Sequence, residues 1–271
     1  MTIGVAVSNM AWDPADDAAV AAILRDEGCT GVELVPSKQW SDPAAASSSE
    51  IRDYRRAWED RGLRIASLQS LLFARPDLML FGDERMRRDL LDYLRAILDV
   101  GAELGARAVV FGSPKNRSRG ALPVESAQAI ATDFFRELGA HASARGVLFC
   151  VEPVSPVYGC DFLTTPAEAL ELVHHVSSPG VRVNADVGSL TTSAEDSATW
   201  LRDHIDLVGH VHASEPDLGE VHASPAHEGA ARGLADARYD GWVSVEMSAR
   251  ALAPGLDPIR RAAKFAKACY G

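Results

Sequence analysis

The 271-residue chain is predicted to fold as a single (β/α)8 barrel that spans residues 1–271. Eight short runs rich in β-branched residues alternate with longer segments of helical periodicity, the pattern of repeated βα units around a parallel sheet. Eight units of roughly 30 residues also match the size of a barrel that closes on itself. No linker or shift in composition divides the chain. The predicted strands are residues 3–8, 31–35, 64–68, 107–111, 147–152, 181–186, 207–212 and 242–246.

Local signals mark the helix boundaries between these strands. Four polar residues each precede a proline, an arrangement that caps the first N–H groups of a helix and places proline in its first turn. Four glycines stand shortly before strands, where the left-handed conformation that ends many helices favours glycine. The start signals are Asp13-Pro14, Thr165-Pro166, Ser224-Pro225 and Asp257-Pro258, and the stop signals are Gly28, Gly62, Gly105 and Gly146.

Composition argues against several classes of protein. Apolar residues make up 47% of the chain and charged residues 24%, which is typical of a globular domain with a large core. The net charge of −11 argues against nucleic-acid binding, because phosphate backbones attract basic surfaces. No segment resembles a membrane span or a secretory signal, so we expect no membrane partner and a cytoplasmic location. The four cysteines lack paired spacing and are expected to be free thiols.

Four polar residues stand at the ends of predicted strands, where a barrel of this type carries its active site. Glu152, Asp186, His212 and Glu246 each end an otherwise apolar run, on four consecutive strands. Any one of them could be a solvated loop residue or a salt-bridge partner. Three carboxylates brought together, however, need a cation, since burying a charge alone is costly. The set predicts one divalent metal ion, Mn²⁺ in the first place, with Mg²⁺, Co²⁺ and Zn²⁺ as alternatives.

Four sequence segments extend this pattern. They are 151–153 (Val-Glu-Pro), 184–186 (Asn-Ala-Asp), 210–215 (His-Val-His-Ala-Ser-Glu) and 239–246 (Tyr-Asp-Gly-Trp-Val-Ser-Val-Glu). Together they resemble the xylose isomerase-like TIM-barrel superfamily, and most closely its sugar and sugar-phosphate isomerase/epimerase group. The resemblance implies that Glu152, Asp186, His212 and Glu246 are metal ligands and that Glu152 and Glu246 act as the acid/base pair. It also implies a small sugar-like substrate, and it leaves a monomer and a homo-oligomer open.

One position departs from the pattern of the ketose 3-epimerases in this group. Those enzymes have a substrate-contacting histidine three residues after the aspartate ligand, and this chain has Ser189 there. We therefore expect Ser189 to contact the substrate, and we expect that substrate to differ from a plain ketose.

Four further residues are candidate substrate contacts. Lys115 and Arg117 follow strand 4 and could hold a phosphate or carboxylate, or they could belong to a solvated surface loop. Gln69 ends strand 3 and could bind a sugar hydroxyl, or it could make only a hydrogen bond within the barrel rim. Glu215 could contact the substrate or orient His212, because a metal-bound imidazole usually needs an acceptor for its other nitrogen.

Three other polar residues are given supporting roles. Glu33 ends strand 2 and is expected to support a neighbouring side chain. His210 precedes His212 by two residues, so it should lie on the same face of the strand, one layer deeper. His227 is expected on a helix surface, with a position that faces the site as the less favoured alternative.

These residues predict a divalent-metal-dependent isomerase or epimerase of a small sugar or sugar-like carbonyl compound, with phosphorylated and carboxylated substrates both open. A divalent ion can stabilise the enediolate that forms when a carboxylate removes the α-proton. The main alternative is a lyase or dehydratase that acts on a sugar, an inosose or a sugar conjugate through the same ligands. A non-catalytic sugar-binding barrel is a further alternative. The superfamily's DNA-repair endonucleases are disfavoured, because they place more histidines at the strand ends.

Overall fold

The computed structural model of the protein describes residues 3–73 and 75–271. Eight parallel strands form a closed barrel in sequence order, and β1 pairs with both β2 and β8. The predicted (β/α)8 fold is confirmed, and the predicted strand ends are correct to within one residue except at β7, which continues to Ser214. The strands are β1 Gly4–Ser8, β2 Gly31–Leu34, β3 Arg64–Leu68, β4 Ala108–Phe111, β5 Leu148–Val151, β6 Val181–Asp186, β7 Val208–Ser214 and β8 Trp242–Glu246.

Helices follow the strands and surround the barrel. Two of them, α6 and α7, lie between β6 and β7, and the first of these begins directly at the end of β6. The helices are α1 Asp17–Asp26, α2 Ser48–Glu59, α3 Glu84–Leu104, α4 Val124–Arg145, α5 Pro166–Val176, α6 Val187–Thr192, α7 Ser197–His204, α8 Pro225–Asp236 and α9 Asp257–Tyr270.

The predicted helix caps are largely confirmed. Thr165 and Ser224 accept backbone N–H groups at the starts of α5 and α8, and Asp13 does so for a short 3-10 turn. The prediction for Asp257 is wrong: this residue is already the first of α9, and Leu256 precedes it without a side-chain cap. Each of the four predicted stop glycines adopts a positive φ.

The core lies inside the barrel and between the barrel and its helices. Phe111, Phe135 and Phe149 pack against one another there, with ring centroids 5.7–5.8 Å apart. All four cysteines are free thiols, as predicted. Within the described part of the chain, no helix combines the length and the apolar character needed to cross a membrane.

Strand register brings the polar strand ends to one level. Asp186 in β6 pairs with His212 in β7, and Ser214 in β7 pairs with Glu246 in β8. Glu152 follows directly after β5. Since all strands are parallel, these side chains meet at the carboxyl end of the barrel.

Candidate metal centre and active site

Four strand-end side chains converge at the mouth of the barrel. Each of Glu152, Asp186, His212 and Glu246 offers one ligand atom, and these atoms lie within 4.8 Å of one another. Nδ1 of His212 is 3.0 Å from Oε1 of Glu152 and 3.2 Å from Oε2 of Glu246. The four residues predicted from the strand ends are therefore close enough to share one ion.

His212 is oriented from below by Glu33. Its Nε2 is 3.1 Å from Oε1 of Glu33, and that oxygen also lies 3.2 Å from Nε2 of His210 and accepts a hydrogen bond from Ser67 Oγ. Glu33 and both histidines are buried. Burial alone would raise the pKa of Glu33, but the two histidines outweigh it and lower that pKa. The structure thus agrees with the supporting role of Glu33 and the deeper position of His210, and Nδ1 of His212 is left to face the mouth.

Local hydrogen bonds hold two of the carboxylates. Asp186 accepts hydrogen bonds from Ser214 Oγ and from the backbone N–H of Ser189 at 2.6 Å. Glu152 Oε1 accepts a hydrogen bond from Asn184 Nδ2 at 2.7 Å. A Cβ at Gly112 would collide with the other carboxylate oxygen of Glu152, so the absence of a side chain there makes room for this carboxylate.

The electrostatics of the cluster favour a bound cation. Burial, reinforced by Glu152, raises the pKa of Asp186 to about 6. Burial also raises the pKa of Glu246 to about 7, with Glu152 and Asp186 adding repulsion. For His212, burial disfavours the charged imidazolium, but Glu33 and Glu246 outweigh it and raise the pKa well above its usual value. In the metal-free chain, protons would therefore partly replace the positive charge that the carboxylates require.

The donor set fits a divalent metal ion. Nδ1 of His212 is buried and makes no hydrogen bond, although two carboxylate oxygens lie close to it. A buried nitrogen that approaches two carboxylate oxygens without a well-aligned hydrogen bond needs an explanation, and a role as metal ligand supplies one. The opposite nitrogen contacts Glu33, which is the carboxylate–histidine arrangement common behind metal ligands.

A second group of potential ligands lies one layer deeper. Glu33, His210 and His212 also place ligand atoms within 4.8 Å of one another. This group has one carboxylate, which already accepts hydrogen bonds from Ser67 and Gln69. The upper group has three carboxylates and the Nδ1 atom of His212, which makes no well-aligned hydrogen bond, so it is the better cation site.

Two cavities border the upper cluster. The larger, about 270 Å³, lies beside Glu152, Asp186 and Glu246 and extends between the loops after β5 and β7. The smaller, about 170 Å³, lies towards β1, β3 and β4 and also reaches Glu152 and Glu246. Both carboxylates predicted as the acid/base pair therefore border both cavities.

Three of the predicted substrate contacts line these cavities. Ser189 and Glu215 line the larger cavity, and Gln69 lines the smaller. Both amide hydrogens of Gln69 are used within the protein, in bonds to Ser8 Oγ at 2.6 Å and Glu33 Oε2 at 3.1 Å. The side-chain carbonyl of Gln69 is thus the group that it can offer to a ligand.

The prediction that Lys115 and Arg117 bind an anionic substrate is not supported. Arg117 is fully buried, and its Nη2 donates a hydrogen bond to the backbone carbonyl of Glu152 at 2.7 Å. Its guanidinium also lies over the ring of Phe111, 5.9 Å from the centroid. Lys115 is exposed and lines neither cavity. Arg117 therefore anchors the backbone at the end of β5.

Two expectations are wrong: that His227 lies on a helix surface, and that Glu215 orients His212. His227 is fully buried and not on the helix surface. Its Nε2 lies 3.2 Å from Oε1 of Glu215, and its Nδ1 lies 2.6 Å from the hydroxyl of Tyr270. Glu215 is thus positioned by His227, while the acceptor that orients His212 is Glu33.

Sequence reasoning missed three residues that shape the site: Asn184, Ser214 and Gly112. Two of them had a usable signal. Asn184 lies two residues before Asp186 and Ser214 two residues after His212, so strand periodicity places each beside a ligand on the inner face. Gly112 carried no such signal, because the space it leaves matters only for Glu152, which follows the neighbouring strand β5.

Comparisons with known proteins agree with this architecture. A family model described as xylose isomerase-like TIM barrel matches residues 21–269. No match was found among curated protein sequences. A 3-keto-D-glucoside 4-epimerase from E. coli is similar over 97% of both chains, with a TM-score of 0.78 and 18% identity. A D-psicose 3-epimerase from Clostridium cellulolyticum H10, solved with D-tagatose, has a TM-score of 0.80 and 16% identity over 97% of this chain and 96% of its own. At these identities the likeness establishes a common fold.

Proposed function

The chain belongs to the xylose isomerase-like TIM-barrel family, and from this premise and the geometry of the site we propose that it is a divalent-metal-dependent isomerase or epimerase of a sugar-like carbonyl compound. One observation carries the proposal. Three carboxylates converge on Nδ1 of His212, which makes no well-aligned hydrogen bond, at the junction of two cavities. The similar solved structures named above are sugar epimerases, which supports the same class of reaction.

Glu152, Asp186, His212 and Glu246 would hold the ion, with Mn²⁺ as the first candidate. When bound, a divalent ion at this position supplies Lewis-acid stabilisation of the negative charge that develops on a carbonyl oxygen during proton abstraction. The deeper Glu33 fixes the ring of His212, so the orientation of this ligand is set before any ion binds.

Glu152 and Glu246 are the proposed acid/base pair. Both line both cavities, so each carboxylate can reach a substrate that spans them. One carboxylate removes the proton next to the carbonyl, and return of a proton from the opposite side inverts the centre. If the same carboxylate returns the proton to the neighbouring carbon, the product is an isomer. General acid–base help of this kind contributes about 10²–10⁴-fold to the rate.

Three other residues are proposed to contact the substrate. Gln69 presents its carbonyl oxygen to the smaller cavity and would accept a hydrogen bond from a substrate hydroxyl. In the larger cavity, Glu215 is held by His227 and would accept a hydrogen bond from a substrate hydroxyl close to the metal cluster. Ser189 donates its hydroxyl hydrogen to the carbonyl of Pro153 at 2.8 Å. It would therefore contact the substrate mainly by van der Waals packing.

Proton exchange with solvent tests this proposal. The manganese-loaded protein is incubated in D₂O with ketoses and keto-glycosides, and deuterium incorporation next to the carbonyl is followed by NMR and mass spectrometry. We expect exchange that EDTA abolishes and Mn²⁺ restores, and we expect Glu246→Gln to lose it while keeping its circular dichroism spectrum. Glu228→Gln, on the exposed face of α8, is the matched control.

Exchange that persists in the EDTA-treated protein or in Glu246→Gln would contradict the proposal. A product that has lost the mass of water or of an attached group would instead identify a lyase. An isomerase or epimerase leaves the mass unchanged apart from the incorporated deuterium.

A further inference from the structure

The larger cavity beside the metal cluster has an apolar wall. Its apolar side is formed by Pro153, Val154, Tyr158, Pro216 and Leu218. A substrate group that lies against these aliphatic and ring surfaces would gain from the burial of apolar surface, whereas a hydroxyl placed there would lose its hydrogen bonds to water.

Three of the hydroxyl groups that line this cavity are already committed to the protein. Ser189 Oγ donates to Pro153 O at 2.8 Å, and Thr192 Oγ1 donates to Ser189 O at 3.0 Å. Ser214 Oγ donates to the carboxylate of Asp186. These three hydroxyl hydrogens are therefore not free for a ligand.

The charge of the cavity excludes an anionic occupant. Five carboxylates line it, and among the described residues that line either cavity none is a lysine, an arginine or a histidine. A divalent ion would cancel two of these charges, so the site would remain negative. A phosphate or a free carboxylate on the substrate would be repelled here. The carboxylates are Glu152, Asp186, Glu215, Asp217 and Glu246.

Two apolar residues separate the larger cavity from the smaller. Val154 and Leu218 line both. Leu218 and its neighbour Asp217 both have left-handed φ angles, of 56° and 62°. For a residue such as Leu218 this conformation costs about 1 kcal/mol or more, whereas aspartate tolerates it better, and strain of this kind clusters at functional sites. The Tyr158 hydroxyl accepts the Asp217 backbone N–H at 2.9 Å, which ties the two loops together beside the cavity.

The rim of the larger cavity is also apolar. Val157 is 79% exposed and Tyr158 is 43% exposed. Both lie in the short segment after β5 whose neighbours form the cavity wall. Exposed apolar side chains at the edge of a ligand site suit a partner that carries an apolar group.

We propose that the larger cavity binds an uncharged apolar group, aromatic or alkyl, that is covalently attached to the sugar-like part of the substrate. The carbonyl part would lie at the cluster of Glu152 and Glu246, and its hydroxylated end would lie in the smaller cavity near Gln69. The substrate class is thus a neutral sugar conjugate and not a free or phosphorylated sugar. This inference rests on the proposed function for the position of the carbonyl group.

The size of the cavity agrees with this occupant. An apolar cavity of about 150 Å³ holds a benzene molecule, and the larger cavity measures about 270 Å³. A phenyl ring that buries roughly 100 Å² of apolar surface would gain a factor of about 50–100 in affinity.

Equilibrium binding of two matched probes tests this inference. Phenyl β-D-glucopyranoside and methyl β-D-glucopyranoside differ only in the attached group, and glucose 6-phosphate reports on anion binding. Each is titrated calorimetrically into the manganese-loaded protein. We expect the phenyl compound to bind about 50–100-fold more tightly than the methyl compound, and glucose 6-phosphate to bind no better than the methyl compound.

Two variants locate the binding to the proposed wall. Leu218→Asn keeps a residue that tolerates a positive φ but removes the apolar surface, and Val154→Thr adds a hydroxyl without changing the shape. Either should reduce the preference for phenyl over methyl below about tenfold. Val124→Asn, at an exposed apolar position outside the cavity, should leave it unchanged.

A preference below threefold in the unaltered protein, including no binding of either probe, would overturn the inference, and so would tightest binding of glucose 6-phosphate. Failure of the proposed function would be seen separately. In that case the phenyl preference persists while the deuterium exchange is insensitive to EDTA and to Glu246→Gln.

Discussion

Replacing Glu33 by glutamine should weaken metal binding although Glu33 is not one of the four proposed ligands. One oxygen of Glu33 lies 3.1 Å from His212 Nε2, and the other accepts a hydrogen bond from Gln69 at 3.1 Å. A glutamine has a single acceptor oxygen. Glu33→Gln must therefore give up either the contact that orients His212 or the bond from Gln69, and it also removes the negative charge behind the imidazole.

The size of the effect follows from this arrangement. Loss of such an outer partner typically lowers metal affinity about 10–100-fold, which corresponds to roughly 1.4–2.7 kcal/mol at 25 °C. Because Glu33 is fully buried, solvent cannot replace the lost bond, and the upper part of this range is expected.

Calorimetric titration with Mn²⁺ measures the change. Glu33→Gln should keep a stoichiometry of one with a Kd raised at least tenfold, Glu246→Gln should bind far more weakly still, and Glu228→Gln should match the unaltered protein. Circular dichroism checks that each variant is folded. A folded Glu33→Gln with a Kd within threefold of the original value would refute the reasoning about the orientation of His212.

Three further predictions concern the pH dependence of stability, the space beside Glu152 and the positioning of Glu215. Burial raises the pKa values of Asp186 and Glu246 to about 6 and about 7, so their protonated forms stabilise the folded metal-free protein below about pH 4, and this stability is lost as the pH rises through those values. The melting temperature of metal-free protein, relative to manganese-loaded protein, should fall between pH 5 and pH 8, and a constant difference would contradict this. Gly112→Ala should displace the carboxylate of Glu152 and reduce Mn²⁺ affinity at least tenfold, and an unchanged calorimetric Kd would show that this carboxylate can move at little cost. His227→Gln should release Glu215 and raise the KM more than it lowers kcat, whereas a lowered melting temperature with unchanged kinetics would indicate a purely structural role.

The fold and the position of the site at the carboxyl ends of the strands could be predicted from the sequence, because both depend on local periodicity. Strand runs and helix signals fix eight βα units, and parallel closure then brings the strand ends together. Asp186 and His212 consequently lie side by side, as the register shows. No detailed packing was needed for this result.

The direction of long side chains could not be predicted in this way. Arg117 and Lys115 stand in one loop with similar composition around them, yet the first turns inward to the carbonyl of Glu152 and the second is exposed. The pairing of Glu215 with His227 depends on where α8 lies relative to the residue that follows β7. Such contacts follow from tertiary packing, which the local sequence does not specify.

The position of the metal ion is the most direct test of the account. A crystal of the protein grown with Mn²⁺ and measured near the manganese absorption edge would show the ion by anomalous scattering. We expect one strong peak at roughly 2.0–2.3 Å from ligand atoms of Glu152, Asp186, His212 and Glu246. A peak between Glu33, His210 and His212, or no peak in the barrel mouth at saturating Mn²⁺, would contradict the central claim.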